Sequence, residues 1–467
     1  MSRKFQAKAV PSTWLESHGR RLDCGPYLSG AMEARELLRK LSVPKEPLIS
    51  ITEGIYHAGR ESRLWVNSEE HGISFMGSTD ILASDFTSLP LISNKQVRSN
   101  PKFTIRSGWT LITRSGTIGR MAYARDDMDG VACSEHVMRV VPNTSKIRPG
   151  YIFAYLSSRF GLPIVLSGTY GSIIQSIEPH HISDLPVPRL GNIENESHLL
   201  VQKAANLRTE ASRHLADAIE LMQRESGLQK LPAAAASGIS FGTRTVSSSV
   251  LFSRMDGSFH SLFHEEVLRS LRTADVGAKA VVDIAESIFE PKRFKRVQVE
   301  DEAFGIPMFG TTALMWADPQ PSFFLPKSMP GVNELVVDKR TVLIPRSGQV
   351  SGIIGTAVLP FGKLVGGAVS EHAIRVHCRE DIDAGYLLVA LRSEYGIRQL
   401  KSRAYGSSIP SLDVRQVGET LVPDLPEDVF EQIGALGLRS AELRGRAIDL
   451  ENEARSLVER TIEEGGR

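Results

Sequence analysis

The sequence predicts an α+β protein built twice, each copy running out into a long helix, and three observations carry that expectation. Motifs recur in one order about 235 residues apart. Gly72-Ile73-Ser74-Phe75-Met76-Gly77 returns as Gly305-Ile306-Pro307-Met308-Phe309-Gly310, and Arg114-Ser115-Gly116 returns as Arg346-Ser347-Gly348. Ser134-Glu135-His136 matches Ser370-Glu371-His372, Gly150-Tyr151-Ile152 matches Gly385-Tyr386-Leu387, and Tyr170-Gly171-Ser172 matches Tyr405-Gly406-Ser407. Second, each copy is rich in short apolar runs punctuated by Gly, Pro and Asn, the signature of strands and turns. Third, each copy ends at a proline, after which the hydrophobic period changes from that of a strand to a heptad.

In chain order, residues 1–193 form the first α+β unit. Strand runs such as Trp109–Ile112 and His136–Val141 alternate with helical patches at Ala31–Leu41 and Tyr151–Ser158, and Leu185-Pro186-Val187-Pro188 closes the unit in extended chain. Residues 194–226 form the first helix. Its seam of Leu200, Ala204, Leu207, Ala211, His214, Ala218 and Leu221 steps alternately by four and three. At 1.5 Å per residue that helix is about 48 Å long, more than the ~34 Å of one turn of B-DNA. Residues 227–250 are small and polar and read as a linker. A second unit spans 251–425, where Arg254-Met255-Asp256 echoes Arg21-Leu22-Asp23. The second helix, 426–467, has its seam at Val429, Ile433, Leu436, Ser440, Leu443, Ala447, Leu450, Ala454 and Leu457. Gly434, Gly437 and Gly445 each weaken it by about 1 kcal/mol relative to Ala, so packing against a partner must stabilise it. The first helix is the expected partner, in an antiparallel coiled coil; the alternative is two amphipathic helices, each packed on its own unit.

Composition excludes several classes of protein. Apolar residues make up 41% and charged residues 23% of the 467, with a net charge of +1, which is ordinary for a globular chain. No run reaches the roughly 18 uncharged apolar residues of a membrane span, and the N-terminus lacks an apolar signal core, so a cytoplasmic protein without a membrane partner is expected. Cys24, Cys133 and Cys378 stand far apart, without the spacing of a disulfide framework or a zinc site.

Duplicated units with an Arg-Ser-Gly turn, Ser-Glu-His, Gly-Tyr, Tyr-Gly-Ser and a proline-bounded exit into a heptad helix resemble the specificity (S) subunit of Type I restriction–modification systems. The resemblance runs from about Arg21 to Glu459. It implies two target recognition domains in pseudo-two-fold arrangement, each reading half of a split, asymmetric site in double-stranded DNA. It further implies an antiparallel coiled coil of the two helices that sets the spacing and docks two adenine methyltransferase (M) subunits, with a restriction/motor subunit as a further partner. The S subunit itself carries no catalytic residues, metal or cofactor. The rival expectation is a scaffold that assembles a phage-defence complex and reads few bases.

Candidate DNA contacts follow from charge and turn chemistry. Arg114 and Ser115, with Arg346 and Ser347, sit in glycine turns where arginine can donate to phosphate or bidentately to guanine; the bland alternative is a solvated hairpin arginine. Lys292, Arg293, Lys295 and Arg296 surround Phe294 and form the densest cationic stretch, thinner at Arg60 and Arg63 in the first copy. Lys95, Arg98, Lys102 and Arg106 make another basic string. Tyr170, Ser172, Tyr405 and Ser407 offer hydroxyls, although a structural role, tyrosine capping the core beside a glycine with positive φ, suits them better. Adjacent Ser, Glu and His along a strand point to alternate faces and cannot form a relay among themselves. No glycine-rich cofactor loop, Asn/Asp-Pro-Pro-Tyr/Phe or Walker motif occurs, and Pro291 interrupts the Asp283…Glu290-Pro291-Lys292 tract that would mimic a nuclease site.

Overall fold

The computed structural model describes residues 7–17, 24–86, 89–168, 176–229, 231, 243, 245–252 and 254–465. Both copies combine helix and sheet, as expected. The chain divides into two compact units, Met1–Thr209 with Ala447–Arg467, and Glu210–Arg446.

In the first unit, the run Val137–Pro142 is buried at every position, which suits a β-branched strand covered on both faces. It pairs antiparallel with Thr52–Tyr56 on one side and Thr110–Thr113 on the other, and Met121–Tyr123 completes a four-stranded sheet. A second sheet orders Trp65–Val66, Leu91–Ser93, Gly72–Met76 and Ala132–Cys133, the last pair parallel. The short strand Lys45–Pro47 pairs antiparallel with Pro186–Pro188, so the chain enters and leaves the unit side by side.

The second unit repeats this plan with two strands fewer. Ala373–Cys378 lies between Ala285–Phe289 and Thr341–Pro345; Gly305–Phe309 pairs parallel with Ala368–Val369 and antiparallel with Phe323–Pro326; Ala278–Ala280 pairs with Leu421–Pro423. Where the first unit has the strand Met121–Tyr123, the second has the isolated bridge between Leu343 and Val358. Likewise the bridge between Val299 and Phe324 stands where the first unit has Trp65–Val66, so its two larger sheets have three strands each.

An arginine lies inside each central strand. Arg139 and Arg375 are 0% and 1% exposed. Arg139 donates to the carbonyls of Ser134 (2.8 Å), Phe103 (3.2 Å), Cys133 and Val137 (both 2.5 Å). Arg375 donates in the same way to Ser370 (2.9 Å), Val369 (2.5 Å) and Ala373. Arginine is all donor, so it can collect several carbonyls from the turn that leads into the strand. Burial pulls the Arg375 guanidinium down to about 10.

Helix Pro149–Leu156 covers the first sheet, and helix Asp381–Arg392 covers the second. Tyr151 and Tyr386 each donate a hydroxyl hydrogen bond of 2.5 Å to the carbonyl of the exit proline, Pro188 or Pro423. The neighbouring glycine allows each covering helix to meet a long helix. A Cβ at Gly150 would lie 2.9 Å from the His198 backbone, and one at Gly385 would lie 2.1 Å from the Gly434 carbonyl oxygen. Gly437 in turn faces the Gly385 carbonyl, where an added Cβ would come within 2.3 Å. Two of the three glycines that weaken the second helix, Gly434 and Gly437, are therefore its points of closest packing on Asp381–Arg392, while Gly445 faces Gly362.

The long helices run Asn192–Glu225 (34 residues) and Glu427–Glu463 (37 residues). In the first unit Ala204, Ala447 and Leu450 share a cluster flanked by Leu200 and Leu207, while Val201 and Ala205 share the main core with Ala454 and Val458. Partner numbers rise as those of the first helix fall, the sense of an antiparallel pair. Arg208 lies in the same interface and makes two bonds to Glu451, of 3.1 and 3.0 Å. Within the second unit Ser440 Oγ donates to the Ala211 carbonyl at 2.8 Å.

The buried line of the first helix is Val201, Ala204, Arg208, Ala211, Leu215, Ala218 and Met222; Leu200, Leu207 and Leu221 lie one residue away and are half-buried. On the second helix Ile433, Leu443 and Leu450 are buried, and Leu436 and Leu457 half-buried. Of the linker, residues 230, 232–242 and 244 lie outside the described residues, as does Arg21-Leu22-Asp23. Leu228 and Leu231 are buried with Val267 and Leu271. No helix among the described residues is long and apolar enough to cross a membrane.

Candidate nucleic-acid interface

In each unit the end of the central strand brings the Arg-Ser-Gly and Ser-Glu-His motifs together. Arg114 N donates to the His136 carbonyl, and Arg346 N to that of His372, each at 2.9 Å. Ser115 bridges to Ser176 and Ser347 to Ser411, while Ile177 N and Leu412 N bond the Arg114 and Arg346 carbonyls. The repeat therefore extends to individual backbone hydrogen bonds.

Side chains then fill this frame differently. Arg114 is only 5% exposed; its guanidinium donates to the Ile177 carbonyl (3.1 Å), the Glu135 carbonyl (3.4 Å) and the Glu178 carboxylate. Arg346 instead pairs with Glu290. Glu290 stands where the first copy has His57, because Phe289 pairs with Arg375 as Tyr56 pairs with Arg139. His57 lies 3.4 Å from Glu178. Burial and the charge of Arg114 pull the His57 imidazole below its ordinary range, with Glu178 opposing them. The motif arginines are thus turned inward onto carboxylates; Arg114 in particular does not face solvent.

The motif glutamates collect a second arginine. Arg63 Nη2 meets Glu135 Oε2 at 2.8 Å, and Arg296 Nη2 meets Glu371 Oε1 at 3.5 Å. Burial pushes the Glu135 carboxyl up, but a backbone hydrogen bond and Arg63 outweigh it, and the group sits below the ordinary carboxylate range. Ser115 Oγ lies 2.6 Å from His136 Nδ1, and the His136 and His372 side chains remain 41% and 46% exposed. Sequence reasoning missed these carboxylate partners. The available signal was the Ser-Glu-His repeat itself, whose middle residue is the one that binds arginine.

The exposed cations without a carboxylate partner among the described residues fall partly on a loop that recurs, Arg60 standing at the place of Arg293, and partly at positions with no basic counterpart in the other copy. Arg60 is exposed on the stretch after Thr52–Tyr56; Lys95 and Arg98 are exposed on helix Asn94–Ser99. Gln96 ties these segments together, accepting from Leu64 N at 2.9 Å and donating to the Ser62 carbonyl at 2.8 Å. In the second unit Lys292, Arg293 and Lys295 are exposed, held by buried Pro291 and by Phe294, which packs against the cluster of Met308 and Leu325. Tyr405 stands 47% exposed rather than capping the core, in a bridge to Ser411, with Ser407 exposed beyond Gly406 at φ +113°. Tyr170 and Ser172 lie outside the described residues. Asp283 caps its own helix through Ala280 N (2.9 Å). No group of three or more His, Cys, Asp or Glu able to hold a metal occurs among the described residues.

Lysine and arginine without carboxylate partners on a rigid sheet frame suit a polyanion, since each can neutralise one phosphate and release its counterion. No protein-family model matches the sequence, and no curated protein matches it. Among solved structures, the chain is similar to the Type-I restriction-modification system S subunit from M. genitalium, at 14% identity and a TM-score of 0.37, covering 91% of this chain and 96% of that one. It is also similar to the HsdS subunit from Thermoanaerobacter tengcongensis (14% identity, TM-score 0.27, 90% and 96% covered) and to a structure concerning complex assembly and conformational transition of the type I R-M system (14%, 0.28, 91% and 99%).

Proposed function

We propose that the chain is a non-catalytic DNA-recognition subunit whose two units each read one half of a split, asymmetric site in double-stranded DNA. The long helices set the distance between the half-sites and dock adenine methyltransferase subunits, two copies by the symmetry of the repeat, with a restriction/motor subunit as a further partner. One observation carries this reading: the frame repeats down to single hydrogen bonds, whereas of the exposed cations named above only Arg60 and Arg293 stand at matching positions, Lys95, Arg98, Lys292 and Lys295 having no basic counterpart at the 233-residue offset. Repetition of the frame supports a common way of lying on a duplex, and divergence of the segments supports two unlike half-sites. The motif resemblance supplies the methyltransferase partner and the cytoplasmic setting.

The test is to map methylated adenines genome-wide with and without this gene, alongside duplex binding by the purified chain at graded salt. Loss of one split motif on deletion, and an affinity that falls steeply with salt, are expected. Binding indifferent to salt, or an unchanged methylation map, would overturn the proposal; copurification with a nuclease but without base preference would favour the scaffold reading instead.

A further inference from the structure

A solvent-open cleft of about 420 Å³ lies in the first unit between the end of strand Thr52–Tyr56 and the turn at Asn100–Lys102, with Pro179 on its rim. Its polar groups fall into two sets. Those of Asn100 and His57 are already engaged: Asn100 Nδ2 donates to the Ala58 carbonyl (2.9 Å) and to Glu61 (2.6 Å), its Oδ1 accepts from Lys102 N (3.2 Å), and His57 Nδ1 accepts from Gly59 N (3.2 Å). The Lys102 ammonium and the Tyr56 hydroxyl have no hydrogen-bond or ion-pair partner among the described residues. Lys102 Nζ sits 6.0 Å from the centre of the Tyr56 ring, and both residues line the cleft.

The surroundings favour an anion. No lining residue carries a carboxylate. The nearest ones are occupied, Glu178 by Arg114 and His57, Glu61 by Asn100 and Gln96. Opposite Tyr56 in the sheet lies Arg139, whose buried guanidinium donates to backbone carbonyls and has no carboxylate in hydrogen-bond contact among the described residues. At Gly59 (φ +81°) a Cβ would meet nothing within 4 Å, so a ligand can come close to the backbone there. The second copy lacks this chemistry: Phe289 and Glu290 replace Tyr56 and His57, removing the hydroxyl and adding a carboxylate.

We propose that this cleft grips one phosphodiester group of the bound DNA, Lys102 neutralising its charge and the Tyr56 hydroxyl donating to a non-bridging oxygen, so that the first unit has a phosphate clamp the second lacks. The inference rests on the DNA-recognition reading above. Its test uses the full chain and duplexes of several unrelated sequences at graded salt. Lys102→Ala is expected to make the slope of log K against log salt shallower by about 0.9, on every sequence alike, and Lys102→Arg to restore it. Tyr56→Phe is expected to weaken binding about tenfold without changing the slope. Wild-type binding with an unaltered Lys102→Ala slope overturns the clamp and leaves the DNA reading standing. Absence of duplex binding by the wild type overturns both. Should ³¹P NMR show inorganic phosphate bound through Lys102 while the DNA slope stays unchanged, the site serves a free phosphate and the phosphodiester assignment falls.

Discussion

The two units solve one problem in two ways. Each must hold an arginine beneath the Arg-Ser-Gly turn, and each supplies a carboxylate to do so. The first takes Glu178 from the segment entering helix Pro179–Ser183; the second takes Glu290 from the end of strand Ala285–Phe289. What the copies keep is the arginine and its backbone bonds, and what they exchange is the partner's address. A group kept while its counterion moves belongs to the frame, which is why these arginines closed the turn rather than reaching a ligand. Most of the exposed cations follow the opposite rule: Arg60 and Arg293 match, whereas Lys95, Arg98, Lys292 and Lys295 each stand in one copy alone.

The first unit carries an ion pair buried against the long helices. Arg208 and Glu451 are 4% and 8% exposed, and Arg125, bonded to Asp127 at 3.0 and 3.2 Å, is buried in the same unit. Glu451→Gln should cost about 3–5 kcal/mol, because it strands a buried cation, whereas the double replacement Arg208→Met with Glu451→Leu should recover most of that. Chemical denaturation measures both, and a small loss in the single variant would show that the interface admits water. Burial pushes the Glu451 carboxyl up, but Arg208 outweighs it and the group lies below its ordinary value. The pair's stabilisation is therefore full above the unfolded value of about 4.3 and is lost as pH falls through the lower folded value. Glu451→Gln should accordingly flatten the acid limb of the stability curve below about pH 4.

Next in size are the helix contacts. Gly385→Ala places a methyl group 2.1 Å from a carbonyl oxygen, and Gly150→Ala places one 2.9 Å from the His198 backbone. Losses of roughly 1–3 kcal/mol are expected, larger at Gly385. The reverse order in thermal melts would mean that the first unit is the more tightly packed against its long helix.

The moved carboxylate can be tested by transplanting it. Glu178→Gln should destabilise by about 2 kcal/mol, since Arg114 is buried, and Glu290→Gln by about 1 kcal/mol, since Arg346 is a quarter exposed. Adding His57→Glu to Glu178→Gln rebuilds the second unit's arrangement in the first and should restore stability. Failure to restore it would show that the two frames are less alike than their hydrogen bonds. Smallest in stability is Lys292→Ala with Arg293→Ala and Lys295→Ala: within about 0.5 kcal/mol of wild type, yet with a DNA salt slope shallower by roughly 2 to 3. An unchanged slope would turn that loop towards solvent.

The duplication, the strand runs, the exit prolines and both long helices were legible in the sequence because each is local or periodic. Two things were not. A heptad read from leucines places the first seam at Leu200, Leu207 and Leu221, one residue from the buried line, because the alanine positions are shared and only the position of Glu451 brings Arg208 inside. The inward turn of Arg114 was hidden because its partner lies 64 residues away, and no local pattern marks Glu178 as a counterion. Arg139 and Arg375, each alone in an apolar strand at the same repeat position, were visible oddities whose explanation needed the turn that leads into the strand.

Each unit is entered through Lys45–Pro47 or Ala278–Ala280 and left through the strand paired beside it. Such a unit works like a cassette with both terminals on one plug. Recombination at two neighbouring points can replace everything between them while the long helices, and whatever docks on them, stay as they were. On the proposed function, exchange of that block would change what a unit recognises in a single step.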